Sequence, residues 1–164
     1  LTGVYAPSKG RLVVEGSVVS MLTLMIGMEA EASGLENVTL RGQILGLDRS
    51  QIDNLVDDVQ AFADLGEYFY MPMRTYSSGM AMRLAFAIST GLDADIILMD
   101  EWLSAGDEGF AAKAEMRLQD MLNRAKILVL ASHNSSLIDS VCNKVMHLEH
   151  GSLIDFHEIH KTSN

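Results

Sequence analysis

Hydrophobic and polar positions follow different periods along the chain. Residues 12–15 and 18–24 are two apolar runs separated by Gly16 and Ser17, a pattern that predicts a β-hairpin with a glycine-assisted turn. From Ser33 the period becomes helical. Ser33 and Glu36 have the S-x-x-E spacing of a capping box, and Asp48 with Gln51 repeats it in weaker form, so a helix is expected after each. In the second, Ile52, Leu55, Val56, Val59, Phe62 and Ala63 fall on one stripe with acidic residues opposite. Residues 71–76 break the pattern, and Ser77-Ser78-Gly79 opens a further helix reaching about Ser89.

The last third alternates between strand and helix. Residues 96–99 are all apolar and end at Asp100-Glu101; residues 127–130 are all apolar and end near Ser132-His133. Both predict buried parallel strands. Phe110, Ala114, Leu118, Met121 and Leu122 recur at helical spacing between them, and Leu137, Ile138, Val141 and Cys142 do so afterwards. Residues 144–148 and 153–156, joined through His150-Gly151-Ser152, predict a closing hairpin. The fold class is α/β with a mostly parallel sheet, a helical insert from about Ser33 to Gly91 and a small β-hairpin.

Composition narrows the function. The chain has 164 residues, 48% hydrophobic with two prolines, which suits one globular domain. A net charge of −10 disfavours a nonspecific nucleic-acid binder. The longest nearly unbroken apolar stretch, residues 21–28, falls far short of the ~20 residues that cross a bilayer. One cysteine, Cys142, forms no internal disulfide, which fits a reducing compartment.

Ligands of open parallel sheets bind beyond the carboxyl ends of the strands. Asp100 and Glu101 stand there. Adjacent carboxylates suit a divided task, one holding hydrated Mg²⁺ and the other orienting or deprotonating water; an ordinary polar strand end explains the pair about as well. A lone histidine is more often structural than catalytic, but His133 follows the second strand, and consecutive βα turns bring it to the same sheet edge. Ser77, Ser78 and Gly79 lie at a helix start, where free N–H groups attract phosphate; taken in isolation, simple N-capping by Ser77 or Ser78 explains them better. Ser104-Ala105-Gly106-Asp107 reads unaided as a connecting loop, and His147, His150, His157 and His160 lack convincing ligand spacing.

Together these segments resemble the nucleotide-binding subunit of an ABC transporter. Tyr76-Ser77-Ser78-Gly79-Met80 is similar to the family signature L-S-G-G-Q, with Arg83 at a usual basic position of the helix that follows. Residues 96–101 resemble the Walker B strand and catalytic glutamate, Ser104-Ala105-Gly106-Asp107 the D-loop, and Ser132-His133 the switch histidine. Four motifs at compatible spacing are a strong combination. The Ser and Met in the signature, with Arg83-Leu84-Ala85-Phe86-Ala87 and Phe110, resemble the ATPases that export O-antigen, capsule or teichoic acid.

The resemblance implies ATP and Mg²⁺ as cofactors, a transmembrane polysaccharide permease as partner, and a head-to-tail homodimer at the cytoplasmic face of the inner membrane, with no nucleic acid and no direct membrane insertion. It implies Asp100 for Mg²⁺ through water, Glu101 and His133 for catalysis, and Ser77, Ser78, Gly79 and Asp107 for ATP across the dimer. It also implies one incomplete ATPase domain over residues 1–164: a β-rich part at 1–32, a helical subdomain at 33–91 and a Walker B and switch core at 92–164. The sequence given contains no G-x-x-x-x-G-K-[ST] and begins at Leu1; the family places that loop just upstream, so an N-terminally truncated chain, inactive alone, is expected. Where the family has a Q-loop glutamine, Met28-Glu29-Ala30-Glu31 stands instead. The competing readings are a degenerate, non-catalytic interaction module and a soluble ABC ATPase unconnected with transport.

Overall fold

The structure, a computed structural model, describes residues 6–22, 24–101 and 108–159. Three strands, β1 (Val18–Ser20), β2 (Ile96–Asp100) and β3 (Ile127–Ala131), form a parallel sheet in that order. The register aligns Val18 with Ile96, Ile96 with Ile127 and Asp100 with Ala131. β2 is central, and its four aliphatic residues are all buried, as a strand covered on both faces requires.

The early hairpin expected from residues 12–24 does not form: residues 12–15 are exposed and irregular, and β1 pairs with β2 instead. The reason lies in Gly16, Ser17 and Asp95. The Asp95 carboxylate accepts the Ser17 N–H at 2.9 Å and the Ser17 hydroxyl at 3.1 Å, while the Asp95 N–H donates back to Ser17 Oγ at 3.0 Å. Lys126 Nζ, just before β3, reaches the same carboxylate at 2.6 Å. Gly16, at φ +113°, would place a Cβ 2.8 Å from the Asp95 side chain. Glycine therefore serves close approach to Asp95 rather than a chain reversal, and the starts of all three strands share one carboxylate. β3 also departs from expectation. It is the outer strand, and Ile127 and Val129 are 50% and 40% exposed rather than buried.

The segment linking β1 to β2 is helical. α1 (Gly34–Ile44) and α2 (Arg49–Ala63) each begin with a complete capping box, from Ser33/Glu36 and from Asp48/Gln51. Two short 3₁₀ turns, Gly66–Tyr70 and Met73–Thr75, lead to α3 (Ser78–Gly91). Leu55, Val59, Phe62 and Ala63 are the buried stripe of α2, and its Phe62 packs on Phe86 of α3 with ring centres 6.1 Å apart.

α4 (Glu108–Arg124) joins β2 to β3 and buries Phe110, Ala114, Leu118 and Met121. Its Arg117 binds both oxygens of Asp58 on α2, donates to Thr90 Oγ1 of α3 at 2.8 Å, and lies 4.3 Å over the Phe62 ring. Lys113 covers the end of α2, donating to the Phe62 carbonyl at 3.0 Å. α5 (Ser135–Val141) follows β3, and β4 (Lys144–Glu149) and β5 (Ser152–Glu158) close the described chain as an antiparallel hairpin.

Candidate functional site at the ends of β2 and β3

β2 carries Asp100 and Glu101 out of the sheet, and β3 carries Ser132 and His133 to the same edge. The ladder continues one step beyond the strands, because the Glu101 N–H donates to the Ala131 carbonyl at 2.8 Å. Glu101 itself adopts φ 60°, a left-handed conformation that costs a non-glycine residue about 1 kcal/mol or more. That bend turns its carboxylate back toward β3.

Both carboxylate oxygens are then occupied. Oε2 accepts the Ser132 hydroxyl at 2.8 Å; Oε1 accepts the His133 N–H at 3.1 Å and lies 2.7 Å from His133 Nδ1. The Ser132 hydroxyl holds the Glu101 carboxyl below the usual glutamate range, against partial desolvation, with the His133 contacts adding to it. An ionised carboxylate bonded to Nδ1 fixes the imidazole with its Nε2 pointing away. His133 is 91% exposed, so that nitrogen faces outward. The arrangement is a base with an oriented acid–base partner.

Asp100 is exposed at the tip of β2, on the opposite face from buried Met99. Among the described residues no group of three or more His, Cys, Asp or Glu could hold a metal ion. A single exposed carboxylate fits Mg²⁺, which keeps most of its water and takes one or two carboxylates alongside substrate phosphates. It fits no all-protein metal cage.

Ser77 caps α3, its hydroxyl accepting the Met80 N–H at 3.2 Å, and Ser77, Ser78 and Gly79 are all exposed. At Gly79 a Cβ would meet only Ser77 Oγ, at 3.9 Å. The helix start is open to an approaching group. Among the described residues no hydrogen bond or ion pair joins it to the Glu101 cluster, so the structure unites Glu101 with His133 but leaves Ser77, Ser78 and Gly79 apart. Asp107 lies outside the described residues. Glu29 and Glu31 are engaged locally: Glu29 takes the Glu31 N–H at 3.1 Å, and Glu31 pairs with Arg74 at 3.1 Å.

Ser132 escaped the list of candidate site residues. A serine after an apolar strand looks like any polar strand end, and only its place beside His133 marks it. A cleft of about 1080 Å³ between β1, α2, α3 and α4 is lined by Asn54, Asp58, Asp93 and Arg117 among others and includes none of the site residues.

No family model matches the chain. It is 39% identical over 155 residues to the O-antigen export system ATP-binding protein RfbE of Yersinia enterocolitica, spanning 94% of this chain and 65% of that one. It is 38% identical to the O-antigen export system ATP-binding protein RfbB of Myxococcus xanthus over 92% of this chain and 35% of that protein. With the teichoic acids export ATP-binding protein TagH of Bacillus anthracis it shares 33% over 97% and 29% of the two lengths. The chain therefore spans less than two thirds of these relatives. Among solved structures it resembles an ATP-binding subunit of an ABC transporter, with TM-score 0.68 and 15% identity over 87% of this chain and 59% of that one. It also resembles a dimeric ATP-binding cassette in a post-hydrolysis state with ADP and Pi, with TM-score 0.62 and 18% identity over 89% and 64%. Sequence relationship and fold agree: the chain is related in sequence to O-antigen and teichoic acid export ATP-binding proteins and has the fold of ABC ATP-binding subunits.

Proposed function

We propose that this chain is part of the ATP-hydrolysing subunit of an exporter of a cell-surface polysaccharide, peripheral to the cytoplasmic face of the inner membrane. The observation that carries the reading is the Glu101–His133 contact at the ends of adjacent parallel strands, beside the exposed Asp100. No helix of the described residues is long and apolar enough to cross a membrane; on this reading a permease partner supplies the membrane-spanning path.

The roles follow from the chemistry of each group. Asp100 holds Mg²⁺ through water, and the ion, when bound, neutralises developing charge on the phosphates. Glu101, ionised and aimed, accepts a hydrogen bond from the attacking water. His133, anchored by Glu101 through Nδ1, offers Nε2 to the terminal phosphate. Ser77, Ser78 and Gly79, with the N–H groups of the α3 start, bind phosphate oxygens. Among the described residues no hydrogen bond or ion pair joins that surface to the Glu101 cluster, and two copies placed head to tail would bring one chain's α3 start to the other's cluster; the dimeric cassette of similar fold supports this. Asp107 couples the two sites. The helical region before β2 contacts the permease.

The test is turnover in the ATPase assembled with a Gly-Lys-Ser/Thr phosphate loop. Glu101→Gln keeps shape and removes charge, so turnover should fall about 10²–10⁴-fold with ATP binding retained. Unchanged turnover would remove Glu101 from this role. The 164-residue chain by itself, carrying no such loop, should bind ATP weakly; tight Mg²⁺-dependent binding by calorimetry would contradict that.

A further inference from the structure

We propose that Ser132 is the positioning residue of this site: its hydroxyl tethers one oxygen of Glu101, leaving the other as the working oxygen shared with His133. The inference rests on the reading of Glu101 as the water-orienting carboxylate.

The hydrogen-bond pattern gives the hydroxyl one direction. Ser132 Oγ accepts the Asn134 N–H at 3.2 Å, and Asn134 is itself held, its Oδ1 accepting the Leu137 N–H as the cap of α5. A serine has one proton and two lone pairs. With a donor fixed on one lone pair, the proton is directed to Glu101 Oε2, 2.8 Å away. Glu101 is 46% exposed, and without that bond only its contacts with His133 hold the side chain back from water. Oε1 differs, since both of its contacts come from His133. When the imidazole turns to another partner, Oε1 keeps only the His133 N–H and can accept a further donor, while Oε2 stays tied to Ser132. One oxygen is thus structural and the other chemical.

Amide hydrogen exchange on the chain tests this without turnover. The His133 N–H touches Glu101 and not Ser132. In Ser132→Ala its exchange should rise at least tenfold, with the Met99 and Leu130 amides of the sheet unchanged. Ser132→Thr, which keeps a hydroxyl, should retain the protection, and Ser132→Cys, a weak donor, should lose most of it. Unchanged His133 protection in the alanine and cysteine variants would overturn the proposal. In the turnover-competent assembly, Ser132→Ala should lower kcat about tenfold with KM unchanged, and Ser132→Thr should restore it; a KM effect alone would overturn it too. If Glu101→Gln keeps full turnover while Ser132→Ala still frees the His133 amide, the catalytic reading fails and the tether stands.

Discussion

Asp95 shows how much one side chain decides. It takes the N–H and hydroxyl of Ser17 and the ammonium of Lys126, and the Lys126 contact, followed by the Ser17 bonds, pulls its carboxyl down to about 2. An unfolded aspartate titrates near 4, so the folded chain binds this proton less readily than the unfolded one. The resulting stabilisation is present above about pH 4 and is lost as pH falls toward about 2. Asp95→Asn should flatten that part of the profile of thermal midpoint against pH, and equal acid slopes in both proteins would show that Asp95 carries none of it. This residue also explains why the expected early hairpin does not form. Gly16-Ser17 between two apolar runs describes a turn and a strand entrance equally well, and the deciding partner lies 78 positions away in sequence. That Glu101 and His133 share one sheet edge is legible because a polar residue at the end of each apolar strand is a local pattern. The role of Ser132 is not, because its importance comes from a hydroxyl direction that only the fold sets.

Among the elements, the helices were the most readable, since capping boxes and a 3.6-residue stripe are written within a dozen positions. Ser33 Oγ accepts the Glu36 N–H, and the Ser33 N–H donates to the Glu36 carboxylate in return, so Ser33→Ala should destabilise α1 by about 1 kcal/mol in urea unfolding. Arg117 is a different kind of tie. It joins α4 to α2 and α3 at once, through Asp58, Thr90, the Ala87 carbonyl and the Phe62 face. With 16% of its side chain exposed it is nearly enclosed, so Arg117→Ala should cost about 1–3 kcal/mol. A loss no larger than that of an exposed pair such as Arg49–Asp53, at most about 0.5 kcal/mol, would mean the tie is idle. Strand pairing was less readable. Four aliphatic residues predict a strand but not its neighbours, and the same pattern served buried β2 and half-exposed β3.

Taken whole, the described chain covers β2 well and its outer elements poorly. Met146, Leu148, Leu153, Ile154 and Phe156 of the hairpin are each more than half exposed. Apolar area of that kind promotes self-association. The isolated chain should therefore bind a hydrophobic dye and scatter light increasingly with concentration. The double change Met146→Lys with Phe156→Lys should reduce both without lowering the thermal midpoint; a lowered midpoint would mean these residues already support the fold.

The clasp at the sheet edge has a consequence for how such a molecule tolerates change. Glu101 is aimed by the rung it shares with Ala131 at the end of β3 and by the two residues that follow that strand. Sliding β3 by a single rung would therefore misdirect the reactive groups while leaving every side chain of the site unaltered.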